Sequence, residues 1–258
     1  MYTPPSEAVA RMVDTATAKA HLPIRLLLVR GFLAGALLGY ATSLSFVPQL
    51  QGLPPIVGAM LFPVGFVLLV LLGLELATGN FALLPMAALA RRIRSRDIVR
   101  NWVWVYLGNL LGGVFYAVLF TQVVHDPKVS ELLAGAAQRK VLAYSALGPA
   151  AGYGVALVKG VLCNWMVTLG TAMAYFSSTT TGKVLTMWLP IMTFFALGYE
   201  HSVVNMFLLP AAILQGGSIT VWEWWAWNQL PVTVGNILGA VALTSIPLMT
   251  YWKHVPQS

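Results

Sequence analysis

The sequence contains the stretch Gly198-Tyr-Glu-His-Ser-Val-Val-Asn-Met-Phe-Leu-Leu-Pro210 and, 125 positions earlier, the stretch Gly73-Leu-Glu-Leu-Ala-Thr-Gly-Asn-Phe-Ala-Leu-Leu-Pro85. Both follow the pattern Gly-x-Glu-x4-Asn-x2-Leu-Leu-Pro, which places a carboxylate and an amide in the middle of a long apolar segment. Lipid cannot hydrate Glu75 or Glu200, so we expect both to lie inside the protein or against water. Polar interruptions at matching places in two apolar helices are typical of a transport site. The two stretches therefore predict interrupted membrane helices and the functional centre of the chain.

The composition predicts an all-α integral membrane protein. Hydrophobic residues make up 58% of the 258 residues, charged residues 9%, and the mean hydropathy is +0.77. Several apolar stretches reach the length of about 20 residues that a helix needs to cross hydrocarbon. They lack the alternation of polar and apolar residues that a membrane β-barrel requires. We expect a lipid bilayer as the surrounding partner. The net charge of +7 is explained by membrane orientation, so nucleic acid is not expected as a partner.

Hydropathy predicts six transmembrane helices within a channel domain at residues 23–251. The spans lie at about 23–47, 55–89, 98–123, 147–176, 184–214 and 222–251. The second and fifth contain the breaks, at residues 73–80 and 198–205, and the polar stretch 125–140 is expected to be a connection.

Charge predicts the orientation of these spans. The connection after span two carries a cluster of arginines, which the positive-inside rule places in the cytoplasm. These are Arg91, Arg92, Arg94, Arg96 and Arg100. An even number of spans then makes the amphipathic segment 1–22 and the tail 252–258 cytoplasmic as well.

An internal repeat extends beyond the two breaks. Val29-Arg30-Gly31 matches Val158-Lys159-Gly160, Gly108-Asn109 matches Gly235-Asn236, and Asn101 matches Asn228. The halves, at about 23–124 and 147–251, are separated by an odd number of crossings and must have opposite orientations. This predicts two inverted three-helix repeats in which helices two and five are broken at the bilayer midplane.

The residues of the breaks also have structural interpretations. We expect Glu75 and Glu200 to accept the backbone N–H groups that each break frees, and Asn80 and Asn205 to cap the half-helices that follow. Thr78 is expected either to line a pore or to bond across helices, and the same holds for Asn164.

The basic and glycine residues of the repeat leave further alternatives. Lys159 either snorkels to the membrane surface or attracts an anion. The glycines at four-residue spacing indicate close helix packing, within the protomer or between protomers. They are Gly35, Gly39, Gly108, Gly112, Gly235 and Gly239.

Motifs of enzymes and metalloproteins are not found in the sequence. Cys163 is the only cysteine, and His21, His125 and His254 are too dispersed to indicate a metal site. The sequence has neither a phosphate-binding glycine-rich loop with a lysine nor a dinucleotide fingerprint. We therefore expect no metal, no cofactor and no enzymatic activity.

A resemblance to a known family becomes specific at two strings. Lys159-Gly-Val-Leu-Cys-Asn164-Trp165, followed by Gly198-Tyr-Glu-His-Ser-Val-Val-Asn-Met206, resembles the formate/nitrite transporter family. The resemblance implies an aquaporin-like protomer with a pore of its own, assembled as a homopentamer in the bacterial inner membrane. It also implies transport of small monovalent anions such as formate, nitrite or hydrosulfide, with proton involvement.

The resemblance assigns roles to individual residues. The central histidine corresponds to His201, the threonine of the break to Thr78 and the pore asparagine to Asn164. The apolar constrictions correspond to the four residues Phe62 and Phe194 on the outside, and Phe66 and Leu76 on the inside.

The sequence also departs from the family pattern at two positions. Ala77 stands where formate members have an aromatic residue, so we expect a looser inner constriction. Gly148 stands where members commonly have a basic residue, which leaves Lys159 or Lys140 to attract the anion.

Two hypotheses of different classes follow from these features. In the first, the chain is a channel or transporter for weak-acid anions, in which His201 gives the arriving anion a proton or a strong hydrogen bond. In the second, it is a membrane-embedded subunit or scaffold of a larger complex, with Glu75, Glu200 and His201 in a proton relay.

Overall fold

The computed structural model describes residues 2–253, with side chains through residue 250. The regular structure of this part of the chain is helical, apart from one isolated antiparallel bridge between Tyr2 and Ser177. The tail expected at 252–258 lies almost entirely outside the described residues.

Ten helices, numbered here in chain order, form the described fold. They are α1 (Pro5–Ala20), α2 (Ile24–Leu50), α3 (Pro55–Leu61 and Pro63–Leu71), α4 (Ala77–Leu89), α5 (Ser95–Val123), α6 (Pro127–Ala137), α7 (Gly148–Met173), α8 (Thr180–Ala196), α9 (Ser202–Leu214) and α10 (Val221–Trp224, Leu230–Ala240 and Ile246–Lys253). The two parts of α3 are joined at Phe62, and α7 ends in the 3-10 turn Ala174–Phe176. The three parts of α10 are joined by the π-helical turns Trp225–Gln229 and Val241–Ser245. The short segments Gln138–Leu142 and Ala143–Ala146 connect α6 to α7.

Four of these helices are long and apolar enough to cross a membrane, judged by length and composition. They are α2, α5, α7 and α10, at 27, 29, 29 and 30 residues over their apolar stretches. The helices α3, α4 and α9 are apolar but shorter. The chain is therefore an integral membrane protein.

Between α3 and α4, and again between α8 and α9, five residues are not helical. These are residues 72–76 and 197–201, so the non-helical stretches are shorter than the expected 73–80 and 198–205 and begin one residue earlier. Each stretch contains a glycine with a positive φ, 65° at Gly73 and 67° at Gly198. Glycine adopts this left-handed conformation without the steric cost of a Cβ atom, which allows the helix to end there.

The glycines at four-residue spacing bring α2 onto α5 and α7 onto α10. A Cβ atom on Gly35 would overlap the backbone oxygen of Asn109, and one on Gly112 would overlap the backbone oxygen of Phe32. Of the two alternatives left open by the sequence, the structure shows the packing of these glycines within the protomer.

The N-terminal segment forms an amphipathic helix, α1, that is packed against the rest of the chain. Its buried face includes Ala8, Val9, Met12, Val13 and Ala16. This face lies against Leu83, Leu84, Met86 and Ala87 of α4. The stretch expected to be a polar connection, 125–140, contains α6, whose buried face includes Val129 and Leu133 and packs against α9.

Candidate functional site

The two interruptions place Leu76 and His201 at equivalent positions, each as the residue that precedes a helix. Both have an extended backbone, with φ −111° and ψ 121° at Leu76 and φ −111° and ψ 115° at His201. The first turn of a helix has N–H groups without intrahelical acceptors, so α4 and α9 each direct N–H groups toward the residues before them.

The imidazole of His201 is buried and fixed by two hydrogen bonds. The backbone N–H of Val204 donates to Nδ1 at 3.1 Å, and Nε2 lies 3.0 Å from Oγ1 of Thr78. Because a backbone N–H can only donate, Nδ1 is the acceptor, and a neutral ring carries its proton on Nε2. The Nε2–H group is therefore directed at the hydroxyl of Thr78.

The side chain of Asn164 joins the two halves of this site. Its Nδ2 donates to the backbone oxygen of Thr78 at 3.1 Å and to that of Asn236 at 2.8 Å. Its Oδ1 is buried and has no hydrogen-bond partner among the described residues. The structure thus brings His201, Thr78 and Asn164 together and leaves one buried acceptor atom available.

Two matching networks hold the carboxylates of the breaks. The Nζ atom of Lys19 lies 2.6 Å from Glu75, and Asn80 donates to Glu75 at 2.7 Å and to Asn101 at 2.9 Å. Asn101 in turn donates to the backbone oxygen of Lys19 at 3.1 Å. The network closes on itself, with Glu75 only 1% exposed.

The second network repeats the first with corresponding residues. The Nζ atom of Lys140 lies 2.8 Å from Glu200. Asn205 donates to Glu200 at 2.8 Å and to Asn228 at 2.7 Å. Asn228 in turn donates to the backbone oxygen of Lys140 at 3.0 Å. Tyr144 adds a hydrogen bond to Glu200 at 2.7 Å. Each buried carboxylate is therefore paired with a lysine, which lowers the cost of burying its charge.

These networks correct two expectations from the sequence. The carboxylates of Glu75 and Glu200 accept hydrogen bonds from side chains, whereas they were expected to accept freed backbone N–H groups. Asn80 and Asn205 are not caps, because each is the fourth residue of its helix and uses its amide as a donor. The side chain that caps α9 is His201.

The backbone at each break is held by a different pair of asparagines. Asn109 accepts from the N–H of Ala77 at 2.9 Å and donates to the backbone oxygen of Glu75 at 2.9 Å. Asn236 accepts from the N–H of Ser202 at 2.9 Å and donates to the backbone oxygen of Glu200 at 2.9 Å. The sequence shows this Gly-Asn match as a repeat, but only the structure shows what the side chains hold.

Aromatic rings pack around His201. The ring of Phe194 lies 5.6 Å from the imidazole at an angle of 20°, and Phe62 meets Phe194 edge to face at 5.8 Å. Phe195 stacks on Phe62 at 3.9 Å, a contact that the sequence did not predict. The buried Phe66 and Leu76 belong to the same apolar cluster.

Two cavities approach this centre. The Lys140 cavity, of roughly 340 Å³, is lined by residues that include Lys140, Lys159, Phe194, Glu200 and His201. The Lys19 cavity, of roughly 540 Å³, is lined by residues that include Lys19, Phe66, Leu76, Gly79 and Asn80. The Lys140 cavity thus contains both members of a lysine–glutamate pair and reaches Phe194. The Lys19 cavity contains the lysine of the other pair and reaches Phe66 and Leu76.

Lys159 also lines the Lys140 cavity. Its Nζ lies 5.6 Å from the centre of the Tyr144 ring, a cation–π distance. Among the described side chains it has no carboxylate within salt-bridge distance, in contrast to Lys140. Gly148, where the family pattern commonly has a basic residue, has a φ of +80° and no neighbouring atom within 4 Å of a Cβ position.

A family model described as "Formate/nitrite transporter" matches residues 6–251. The chain belongs to the formate/nitrite transporter family. It is 35% identical to an uncharacterized transporter of Bacillus subtilis, with 98% of this chain and 95% of that protein covered. It is 32% identical to a formate channel of Bacillus thuringiensis, covering 91% of this chain and 90% of that protein.

Solved structures of the formate/nitrite transporter family share the fold. A structure titled "FNT family ion channel" matches with a TM-score of 0.78 and 29% identity over 98% of both chains. A structure titled "Pentameric formate channel with formate bound" matches with a TM-score of 0.73 and 25% identity, over 89% of this chain and 96% of that one.

The sequence did not predict that Lys19 and Tyr144 of this formate/nitrite transporter family member contact the buried carboxylates. The signal for Lys19 was weak, because it lies 121 positions before Lys140, outside the 125 to 129 spacing of the recognised repeat. Lys140, the partner of Glu200, was considered only as a residue that attracts the anion, within a stretch interpreted as a connection.

Proposed function

We propose that the chain is a transmembrane channel or transporter for small monovalent weak-acid anions, such as formate, nitrite or hydrosulfide. The observation that carries the proposal is the contact between Thr78 and His201, in which the two interrupted segments meet beside a cavity. Membership of the formate/nitrite transporter family and the formate channel among its relatives support the same substrate class.

The proposed architecture has six transmembrane spans in two inverted three-helix repeats, like an aquaporin. In it, α3 with α4 and α8 with α9 are the second and fifth spans, each broken at the bilayer midplane. The two matching lysine–glutamate–asparagine networks support this symmetry.

The channel domain would occupy residues 23–251 in the bacterial inner membrane. The arginines that follow α4 would be cytoplasmic, together with segment 1–22 and tail 252–258, so that the Lys140 cavity opens to the outside and the Lys19 cavity to the inside.

The charges of the cavities support a path for anions. An anion in an apolar environment loses hydration worth several kcal/mol or more, so it needs compensating positive charge before it meets the constrictions. Lys140 is neutralised by Glu200, so the positive charges that remain to attract the anion in the outer cavity are those of Lys159 and Arg139. The N-termini of α4 and α9 add roughly half a positive charge each, directed toward the centre.

His201 then makes the substrate effectively neutral. Its Nε2–H group, directed at Thr78, provides a hydrogen bond to an anion that arrives beside the threonine hydroxyl. A full proton transfer requires an imidazolium, which forms when Nδ1 takes a proton from solvent on the side of the Lys140 cavity and gives up its bond from Val204. Nε2–H then passes its proton to the anion, leaving a neutral acid and a neutral imidazole. We propose that this acid crosses the constriction formed by Phe66 and Leu76, because a neutral species loses far less hydration there.

The aromatic side chains have a role in excluding water. Phe62 and Phe194 would form the outer constriction and Phe66 and Leu76 the inner one. Ala77 is fully buried beside Leu76 and adds little bulk, which is consistent with the larger cavity on the Lys19 side.

We also propose a homopentamer in which each protomer has its own pore. The structural neighbour titled as a pentameric formate channel supports this assembly. Exposed apolar side chains on α2, α5, α7 and α10 provide surface for lipid and for neighbouring protomers. Examples are Tyr40, Leu111, Trp165 and Leu238.

The test is flux through liposomes that contain only the purified protein. We expect uptake of at least one of formate, nitrite and hydrosulfide, rising as the pH falls, and we expect His201→Phe to abolish the rise with acidity. His125→Phe is the matched control, since His125 is exposed and lines neither cavity. Uptake by His201→Phe with unchanged rate and pH dependence would reject the role of the histidine. A wild-type protein that carries none of the three anions would contradict the proposed function and favour the alternative of a scaffold subunit.

A further inference from the structure

Two threonines occupy matching positions in the two cavities. Thr42 lies on α2 and lines the Lys140 cavity, and Thr171 lies on α7 and lines the Lys19 cavity. They are 129 positions apart, the same spacing that relates Arg30 to Lys159 on the same two helices. The repeat therefore places a hydroxyl group on each side of the centre formed by Thr78 and His201.

The hydroxyl protons of both threonines are already engaged. Thr42 Oγ1 donates to the backbone oxygen of Leu38 at 2.7 Å, and Thr171 Oγ1 donates to that of Val167 at 3.1 Å. A hydroxyl has a single proton to donate and two lone pairs that accept. In this geometry the hydroxyl oxygen of each threonine can accept a hydrogen bond from a group in the adjacent cavity but cannot donate one.

Thr171 and Gly79 lie close together in the lining of the Lys19 cavity. A Cβ atom placed on Gly79, across the Lys19 cavity, would lie 3.4 Å from Thr171 Oγ1 and 4.0 Å from its methyl carbon. The hydroxyl oxygen is therefore the closer of the two atoms to the vacant position beside Gly79. In the Lys140 cavity, Thr42 shares the lining with His201 itself.

An acceptor-only hydroxyl distinguishes the two protonation states of a weak acid. A carboxylate or nitrite anion has only lone pairs, so it gains nothing from such an oxygen. The protonated acid has an O–H group that donates to it. A pair of these acceptors, one in each cavity, thus matches the neutral acid and not the anion.

We propose that Thr42 and Thr171 are a pair of acceptor subsites that bind the protonated acid through its O–H group, on the two sides of His201. The inference rests on the proposed function, since it requires a weak acid that is neutral during part of its passage. Each threonine stabilises the neutral form where it enters or leaves the constrictions, so both are specificity-determining residues for acids that carry an O–H group.

The experiment compares two substrates in the same proteoliposomes. Formic acid donates through O–H, whereas the conjugate acid of hydrosulfide has only weak S–H donors. Thr171→Val and Thr42→Val keep the size of the side chain and remove the acceptor. We expect each to lower the ratio of formate flux to hydrosulfide flux by roughly two- to tenfold, the effect of one neutral hydrogen bond. Thr171→Ser and Thr42→Ser keep the hydroxyl and should keep the wild-type ratio.

Thr193→Val is the matched control. Thr193 makes the same kind of bond to its own helix, to the backbone oxygen of Leu189 at 2.8 Å, but it lines neither cavity. It should leave the ratio unchanged. Nitrite replaces formate in the comparison if the wild-type protein carries nitrite and hydrosulfide only.

The outcomes distinguish a failure of the threonine subsites from a failure of the proposed function. Valine variants that keep the wild-type ratio, or that lower both fluxes equally, overturn the subsites while the proposed function stands. Wild-type liposomes that carry no O–H acid at all overturn the proposed function for formate and nitrite, and the subsites with it.

Discussion

Oγ1 of Thr78 lies 3.0 Å from Nε2 of His201, although 123 residues separate the two along the chain. Thr78 is in the first turn of α4 and His201 is the residue that caps α9, so the contact joins the two interrupted segments directly. Both residues are buried, at 0% and 3% exposure. The imidazole is thus held by its own helix on one nitrogen and by the opposite half of the chain on the other.

The first prediction concerns this contact. Thr78→Val removes the hydroxyl that fixes Nε2 of His201, and we expect anion flux to fall by roughly two- to tenfold, the range for one neutral hydrogen bond. Thr78→Ser keeps the hydroxyl and should retain most of the flux. Initial rates of formate or nitrite uptake into liposomes provide the measurement. Equal rates for the valine variant and the wild-type protein would show that the hydroxyl has no part in transport.

The second prediction concerns the buried ion pairs. Glu200→Ala leaves Lys140 and Asn205 without their shared acceptor, and breaking a buried pair in this way typically costs about 3–5 kcal/mol. Replacing both partners, as in Lys140→Met with Glu200→Leu, removes both charges and should destabilise the fold less than Glu200→Ala alone. The measurement is the midpoint of thermal unfolding of the purified protein in detergent.

A matched surface variant controls for this effect. Glu223→Ala removes an exposed carboxylate that accepts from Thr220 at the start of α10. Loss of such a capping interaction costs about 1 kcal/mol, so its midpoint should lie well above that of Glu200→Ala. A double variant as unstable as Glu200→Ala would contradict the electrostatic explanation.

The twin breaks illustrate how much of the fold the sequence predicted. Glu75 and Glu200 in apolar surroundings, each following a glycine, were sufficient to locate both interruptions to within a few residues. The apolar spans likewise predicted the positions of the long helices, since hydropathy depends on local composition. Membership of the formate/nitrite transporter family was predicted from the string around His201.

The partners of these residues could not be predicted in the same way. Lys19 and Lys140 lie 56 and 60 residues from their carboxylates along the chain. The sequence around each lysine does not indicate which carboxylate its ammonium group contacts. Asn80 and Asn205 were interpreted as caps because asparagine favours helix starts. In the fold a neighbouring carboxylate takes their amide donors, so a tertiary contact overrides the local preference.

The third prediction tests the close crossing of α2 and α5. Gly35→Ala would place a methyl group onto the backbone of Asn109, the residue that holds the N–H of Ala77. Overpacking of this kind costs about 1–3 kcal/mol, and here it also displaces the break. We expect a lower unfolding midpoint and reduced flux. Gly154→Ala is the control, because no atom lies within 4 Å of its Cβ position and alanine favours the helix. Equal midpoints for the two variants would contradict the packing derived for Gly35.

The last prediction distinguishes the two interpretations of Lys159. If its ammonium attracts the anion into the Lys140 cavity, Lys159→Gln should reduce uptake most strongly at low ionic strength and flatten the dependence of uptake on salt. Charges are screened over about 10 Å at 0.1 M salt, so the wild-type and variant rates should converge as impermeant salt is added. Lys159→Arg keeps the charge and should behave like the wild-type protein.

Lys128→Gln provides the control for general surface charge. Lys128 lines a separate, open depression with Gln51 and Glu131, and its removal should leave the salt dependence of uptake unchanged. If Lys159 only snorkels toward the membrane surface, Lys159→Gln and Lys128→Gln should give the same rates at every salt concentration. A difference confined to Lys159→Gln and to low salt would instead identify the ammonium over Tyr144 as a charge that attracts the anion in place of the basic residue missing at Gly148, a role that Lys140 cannot fill while Glu200 neutralises it.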